Sequence, residues 1–507
     1  MNIMMLLEMA SATFPERTAF VDGATDTRLT YQQLFNATSS RAQLLQDNGC
    51  ARLGMLDVSS LATPLGLFSA ARAGVPFVPM NYRLTAPEIR ALVERITPAF
   101  LVTDNAHSAQ LGDLSALTSC TREDFLAATD MPSAISSEWG MDPEAIAVLL
   151  FTSGTTGTPK AAVLRHKHLV SYILTAVEFA SAGEDEAALV CVPPYHIAGI
   201  AAVLSSVYAG RRVVQLANFD AETWLALARR EQITTAFVVP TMLTRIVEAL
   251  GNASGADLPA LKSIAYGGGK MPLAVIERAM QLFPNTDFTN AYGLTETSST
   301  IAVLGPEDHR KAAASTDALV RKRLVSVGQP LPGIELEIRD DSGTPVAAGA
   351  RGEIYVRGEQ VSGEYEGRGS VVDSAGWFAT RDAGSMDSEG YLFLEGRADD
   401  VIVRGGENLS PGEIEDQLLE HPAVRDAAVV GIPSEQWGEA VAAAIVVTPG
   451  QAAGNDAIAA ELRAWVKQHL RSSRVPERIE FFAELPYNET GKLLRRVVKE
   501  QFSKTND

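Results

Sequence analysis

Apolar residues along this chain fall into two patterns. Short unbroken runs, such as Ala99-Phe100-Leu101-Val102-Thr103 and Ala147-Val148-Leu149-Leu150-Phe151, end in polar or glycine-rich breaks. Longer stretches repeat apolar positions three and four residues apart. The first pattern predicts strands covered on both faces, as in parallel sheets; the second predicts amphipathic helices. Over residues 1–140 the two alternate. Leu29-Thr30-Tyr31-Gln32-Gln33-Leu34 opens a helix with Thr30 as its N-cap, and Gly74 stops a helix before the buried strand at 75–80. From 185 to 305, strands at 188–192, 213–216, 236–239 and 263–266 alternate with helices such as 221–231. This is α/β patterning, in which ligands gather beyond the carboxyl ends of strands.

The pattern changes near residue 325. Short strands at 335–338, 353–356 and 391–394, punctuated by Gly343, Gly349, Gly352 and Gly390, predict a small β-barrel or sheet packed on the α/β body. Beyond about residue 400 comes an α+β module. Ser410-Pro411-Gly412-Glu413 reads as a capping box with proline at the first helical position. Strands follow at 427–432 and 441–447, and a helix at 456–470 puts Ile458, Leu462, Trp465, Val466 and Leu470 on one face.

Composition narrows the function classes. A chain of 507 residues with 46% apolar and 21% charged residues is an ordinary globular protein of several domain-sized units. Its formal net charge of −19 argues against nucleic-acid or anionic-membrane binding, so an anionic nucleotide would need local donors and a metal ion. Cys50, Cys120 and Cys191 lie far apart with no CxxC spacing, which excludes a disulfide framework and a zinc site. The segment from Met1 to Glu8 reads as a first helix rather than a leader, and no apolar run approaches the ~20 residues of a membrane span. The expectation is a soluble cytoplasmic protein, with oligomeric state open between monomer and homodimer.

The candidate chemistry begins where the run 147–151 ends, in Thr152-Ser153-Gly154-Thr155-Thr156-Gly157-Thr158-Pro159-Lys160. Gly154 and Gly157 let backbone N–H groups approach a ligand closely, the hydroxyls of Ser153, Thr155, Thr156 and Thr158 add donors and Lys160 adds charge: an inventory suited to polyphosphate. A Walker P-loop is disfavoured, because Pro159 precedes the lysine and Ala161 follows it. Downstream, Pro193-Pro194-Tyr195-His196-Ile197-Ala198-Gly199 puts a histidine at a loop-to-helix junction, either a satisfied core-edge residue or part of a carboxylate pocket. Gly267-Gly268-Gly269 suggests close approach of a flat ligand. In Asn290-Ala291-Tyr292-Gly293-Leu294-Thr295-Glu296-Thr297-Ser298, Tyr292 can stack on a purine, Thr295 can donate to phosphate, and Glu296 offers the hard oxygen that Mg²⁺ needs. Asp382 can accept from both ribose hydroxyls.

These strings, in this order from about 145 to 496, resemble the adenylate-forming superfamily: acyl-CoA synthetases, peptide-synthetase adenylation domains and beetle luciferases. The resemblance implies two packed α/β subdomains and a β-barrel in residues 1–398, then a small mobile α+β domain in 399–507 that rotates about Asp399. It implies ATP, Mg²⁺ and coenzyme A as ligands and AMP-forming acyl-CoA synthesis, with a medium- or long-chain fatty acid or similar hydrophobic acid as substrate. By the match, Thr152, residues 153–157, Lys160, the glycines 267–269, Asn290, Ala291, Tyr292, Gly293, Thr295, Asp382 and Arg397 would bind the nucleotide. Tyr195, His196, Gly199, Gly269 and Ser298 would line the acyl pocket, and Gly405, Gly406 and Glu407 the pantetheine channel. Thr295, Glu296, His196 and Lys492 of Thr490-Gly491-Lys492 would be catalytic, Glu296 as the Mg²⁺ ligand. Two residues depart from the pattern: Arg381 where the family has glycine before the aspartate, and Ala161 where glycine follows the lysine, a change that at most stiffens the loop. The alternatives are an aryl- or cyclic-acid CoA ligase, an enzyme loading a carrier protein (no carrier domain follows Lys492), a luciferase-like oxidase, and a catalytically silent nucleotide-binding protein.

Overall fold

In the computed structural model the described residues are 1–111, 117–127, 138–152, 159–397, 400–405, 407–434, 436–448, 456–488 and 493–504. They divide into two compact units. The first comprises residues 1–267, 271–335 and 356–378; the second comprises 268–270, 336–355 and 379–507.

The first unit holds two sheets. In the nine-stranded sheet, Asp287–Leu294, Ser263–Gly267, Thr235–Val238, Ala187–Val190, Arg212–Gln215 and Thr18–Asp22 run parallel side by side, with antiparallel strands beyond each end. In the eight-stranded sheet, Ile146–Thr152, Phe77–Pro79, Leu53–Leu56, Phe100–Thr103 and Thr118–Thr121 are parallel. Lys160–Arg165 and then Glu364–Tyr365 continue it antiparallel. The central strands are apolar throughout because helices cover them. Leu7, Leu34, Phe68 and Leu204, each from a different helix, share one core with Phe20 of the first sheet and Phe77 and Val148 of the second. The helix Tyr31–Asp47 starts as expected, with the Thr30 hydroxyl accepting the Gln33 amide and the Gln33 side chain returning to the Thr30 amide. Gly74, at φ +74°, ends the helix Ala62–Ala73.

The second unit holds a four-stranded sheet and the C-terminal α+β layer. Glu335–Arg339, Arg351–Arg357, Phe378–Met386 and Leu392–Arg397 form an open path whose end strands, among the described residues, do not pair, so of the barrel and the sheet expected here the sheet is what forms. In the C-terminal layer, Val424–Ser434 and Gly438–Val447 form a long antiparallel ladder with the helix Asp456–His469 on it. One local expectation fails. Ser410 does precede the helix Pro411–Leu419, but its hydroxyl donates to the Glu395 carbonyl at 3.1 Å, and Glu413 pairs with Arg474 at 3.1 Å; no capping box forms. Tertiary partners outbid the local cap. Among the described residues no helix is long and apolar enough to cross a membrane.

Candidate active site

In the first unit, Thr152 and Lys160 face each other across the antiparallel pair Ile146–Thr152 and Lys160–Arg165, and the Thr152 hydroxyl donates to the Lys160 carbonyl at 3.4 Å. Ser153, Gly154, Thr155, Thr156, Gly157 and Thr158, between them in sequence, lie outside the described residues. Ala161 is a buried strand residue opposite Phe151, and its carbonyl accepts the Glu366 amide at 2.9 Å. Its methyl is buried within the ladder.

The second element follows the strand pattern of 263–266 in sequence and is itself a strand pair joined by a turn. Asn290, Ala291, Tyr292 and Gly293 lie in the strand Asp287–Leu294, Thr295–Thr297 make a single 3-10 turn, and Ser299–Leu304 returns antiparallel. The return is so close that a Cβ on Gly293 would lie 1.8 Å from the Ser299 carbonyl oxygen. Ser298 is left-handed and fully buried, at φ +55°. From outside the turn, Gln360 Nε2 donates to the Thr297 carbonyl at 3.0 Å and the Thr300 carbonyl at 2.7 Å.

Glu296 stands at the apex. Its carbonyl accepts the amides of Ser362 at 2.8 Å and Gly363 at 3.1 Å and the Ser362 hydroxyl at 3.1 Å. Its Oε1 accepts the Tyr365 hydroxyl at 2.6 Å. Lys160 Nζ lies 5.7 Å from the centroid of that same Tyr365 ring, within cation–π reach. A cation and a carboxylate thus meet on one aromatic ring.

His196 is the N-cap residue of the helix Ile197–Ala209, and Gly199 permits its tight entry: a Cβ there would lie 2.7 Å from the Pro193 carbonyl. The His196 ring lies 4.5 Å from that of Tyr195, which meets Tyr82 edge-on at 5.5 Å. Its Nε2 is buried with no hydrogen-bond partner among the described residues. Burial, and then the Arg83 charge, lower its pKa to about 4, so the imidazole is neutral at pH 7. A buried nitrogen left unpaired is costly until something pairs with it.

The glycine run has reasons within the protein. Gly267 pairs with Ala291 in the parallel ladder, and a Cβ there would lie 2.2 Å from the Ala291 carbonyl oxygen. Gly268 is at φ +83°. Close approach of the neighbouring strand by itself demands glycine at Gly267.

In the second unit, Asp382 and Arg397 are cross-strand neighbours. Arg397 Nη1 donates to Asp382 Oδ1 at 2.7 Å and to the Thr380 carbonyl at 3.2 Å. Arg381 sits at φ +62°, the left-handed region that glycine enters freely. Its amide donates to Glu353 at 3.2 Å. Gly405, at φ +59°, packs on Trp437: its amide donates to the Trp437 carbonyl at 2.8 Å, and a Cβ would lie 3.0 Å from the indole ring. Glu407 is held by Arg474, and that bond keeps its carboxyl below the usual range. Asp399, Gly406 and Lys492 lie outside the described residues. Tyr487 and Leu493 form an isolated bridge on either side of 489–492, and Arg495 pairs with Glu415.

Residues 7–366 match the AMP-binding enzyme family, and residues 413–492 match the AMP-binding enzyme C-terminal domain. The chain belongs to the AMP-binding enzymes. It is 33% identical over 495 residues to a fatty acid–[acyl-carrier-protein] ligase of Streptomyces coeruleorubidus, covering 94% of this chain and 92% of that one. It is 31% identical over 497 residues to a feruloyl-CoA synthase of Amycolatopsis sp., covering 96% of each. Among solved structures, o-succinylbenzoate CoA synthetase of Bacillus subtilis, in complex with its acyl-adenylate intermediate, superposes with a TM-score of 0.84 at 28% identity over 97% of each chain.

For an AMP-binding enzyme the donor set can be tested against magnesium. Among the described residues no three His, Cys, Asp or Glu side chains cluster to cage a metal ion. Mg²⁺ needs no such cage: it is commonly held by one or two carboxylates together with substrate phosphates and water. A single carboxylate fixed at the apex of a turn, as Glu296 is, fits that requirement. Sequence reasoning missed Tyr365 and Gln360, which act through space from 60 or more residues away. The one signal available was their placement in the polar, glycine-bearing stretch Gln360-Val361-Ser362-Gly363-Glu364-Tyr365, which continues no apolar strand pattern.

Proposed function

We propose that this chain activates a hydrophobic carboxylic acid with ATP and transfers the acyl group to the thiol of coenzyme A. A carboxylate oxygen attacks the α-phosphorus and the bond to pyrophosphate breaks, leaving an acyl-adenylate. The thiol sulfur then attacks the acyl carbon, the acyl–oxygen bond breaks, AMP departs, and the thiol proton passes to solvent. The observation that carries the reading is the meeting of Lys160 and Glu296 on the Tyr365 ring, at the border of the hydroxyl-rich segment 153–158. Magnesium bound through Glu296 would offset phosphate charge, and Thr152, Lys160 and Thr295 would hold phosphate oxygens. In this reading Asn290, Ala291, Tyr292, Gly293 and the 267–269 loop border the adenine, and Asp382 with Arg397 takes the ribose. Residues 399–507 swing about Asp399 to exchange Lys492, for the first step, with Gly405, Gly406 and Glu407, for the second.

For the acid, the Tyr82, Tyr195 and His196 rings offer an apolar, aromatic surface ending in one unpaired nitrogen. That suits a fatty or aryl acid, presenting one hydrogen-bonding group to His196, better than acetate. The relatives span fatty and aromatic acids and both CoA and carrier-protein acceptors, so a panel decides. Hydrophobic acids should give acid-dependent pyrophosphate, and coenzyme A should then give the thioester. A preference for acetate would overturn the substrate class, and transfer only to carrier protein would overturn the acceptor. Lys492→Ala should abolish adenylation while sparing thioester formation from supplied acyl-AMP; loss of both would refute that division of roles.

A further inference from the structure

The residues that hold Glu296 come from a single short stretch. Gln360 fixes the turn carbonyls on either side of Ser298, Ser362 and Gly363 fix the Glu296 carbonyl, and Tyr365 takes one carboxylate oxygen. The stretch is itself fixed: Tyr365 pairs with Ala162 in the ladder of Lys160–Arg165, and the next amide, of Glu366, donates to Ala161. The phenol therefore reaches Glu296 from a strand neighbouring the one that Lys160 begins, and cannot drift independently of it. At 2.6 Å the bond lies in the range of charge-assisted O–H···O⁻ contacts, which are stronger than neutral ones.

We infer that Tyr365 is a positioning residue for the metal-binding carboxylate: by occupying Oε1 it leaves Oε2 of Glu296 as the oxygen offered to Mg²⁺. The inference rests on the proposed role of Glu296. A carboxylate free to rotate presents either oxygen and loses orientation when it binds; one tethered through a single oxygen does not. Outer-shell hydrogen bonds to a metal ligand commonly govern metal affinity in this way. The Tyr365 ring has a second contact in Lys160, so removing the hydroxyl alone isolates the tether.

The test is calorimetric titration of the full chain with ATP, once in EDTA and once in excess Mg²⁺. The gain in affinity that Mg²⁺ confers is the readout, and no turnover is needed. In Tyr365→Phe this gain should shrink roughly tenfold, with ATP binding in EDTA unchanged; in Glu296→Gln it should vanish. If Tyr365→Phe keeps the full gain while Glu296→Gln loses it, the positioning role is wrong and the metal role of Glu296 stands. If Glu296→Gln keeps the gain, the metal assignment itself falls, and the inference with it. If Tyr365→Phe weakens binding equally in EDTA and in Mg²⁺, the tyrosine is merely structural and the inference is overturned.

Discussion

Two strand positions, one in each unit, lie just before a carboxylate proposed for the site, and they solve the backbone problem differently. At Gly293 the neighbouring strand stands so close that no side chain fits, and the sequence supplies glycine. At Arg381 there is room, but the backbone is left-handed, and the sequence supplies arginine. The difference separates two reasons for a glycine. A steric demand allows no other residue, because the clash is with backbone. A conformational demand costs an L-residue about 1 kcal/mol, which the fold can bear. The family pattern has glycine at both places; only the steric one is compulsory here.

Acid should separate the two units most strongly. His166, His168 and His196, all in the first unit, have pKa values lowered to about 4, chiefly by burial. Unfolded, they would take up protons near pH 6.5. Between those values the unfolded chain binds more protons, so stability that is complete above pH 6.5 is lost as pH falls toward 4. For His196 alone the loss is on the order of 3 kcal/mol. Asp426 of the second unit works in the opposite sense: burial raises its pKa, so acid relieves a cost there. Hydrogen exchange followed from pH 7 to pH 4.5 should show the first unit losing protection earlier; equal loss in both units would break the comparison.

Substitution around Gly293 comes next. Gly293→Ala should cost about 3 kcal/mol in denaturant unfolding, because the strand Ser299–Leu304 must move to admit a methyl. Gln360→Ala should cost about 2 kcal/mol, since one buried and one partly buried carbonyl lose their donor. The smallest effect has the opposite sign. Arg381→Gly should raise stability by up to about 1 kcal/mol by removing left-handed strain, and Arg381→Ala should not, because alanine keeps the strain. A gain from alanine would place the cost in the guanidinium rather than the backbone.

How much was legible in the sequence follows the range of the forces involved. Short apolar runs and local caps found seven strands of the two α/β sheets, near 77, 100, 148, 188, 213, 236 and 263, and the start of the helix at Tyr31, because burial on both faces and the Thr30–Gln33 exchange are written within a few residues. Ser410 misled for the complementary reason: its local partner was present, but the Glu395 carbonyl, distant in sequence, took the hydroxyl. Arg381 was recognisable as a departure, and its positive φ gives that departure a physical meaning. Glu296 was singled out by its string, and the structure puts it on a strand-to-strand turn. The residues that hold it, Tyr365 and Gln360, could not be found by spacing, since they come from a part of the chain that only folding brings near.

The most direct measurement is the product ratio from ATP, Mg²⁺ and a hydrophobic acid, with and without coenzyme A. The acid should be needed for pyrophosphate release, and with coenzyme A present AMP, pyrophosphate and acyl thioester should appear in equal amounts. Appearance of ADP and orthophosphate, or ATP consumption indifferent to the acid, would contradict adenylate formation at Glu296 and Lys160.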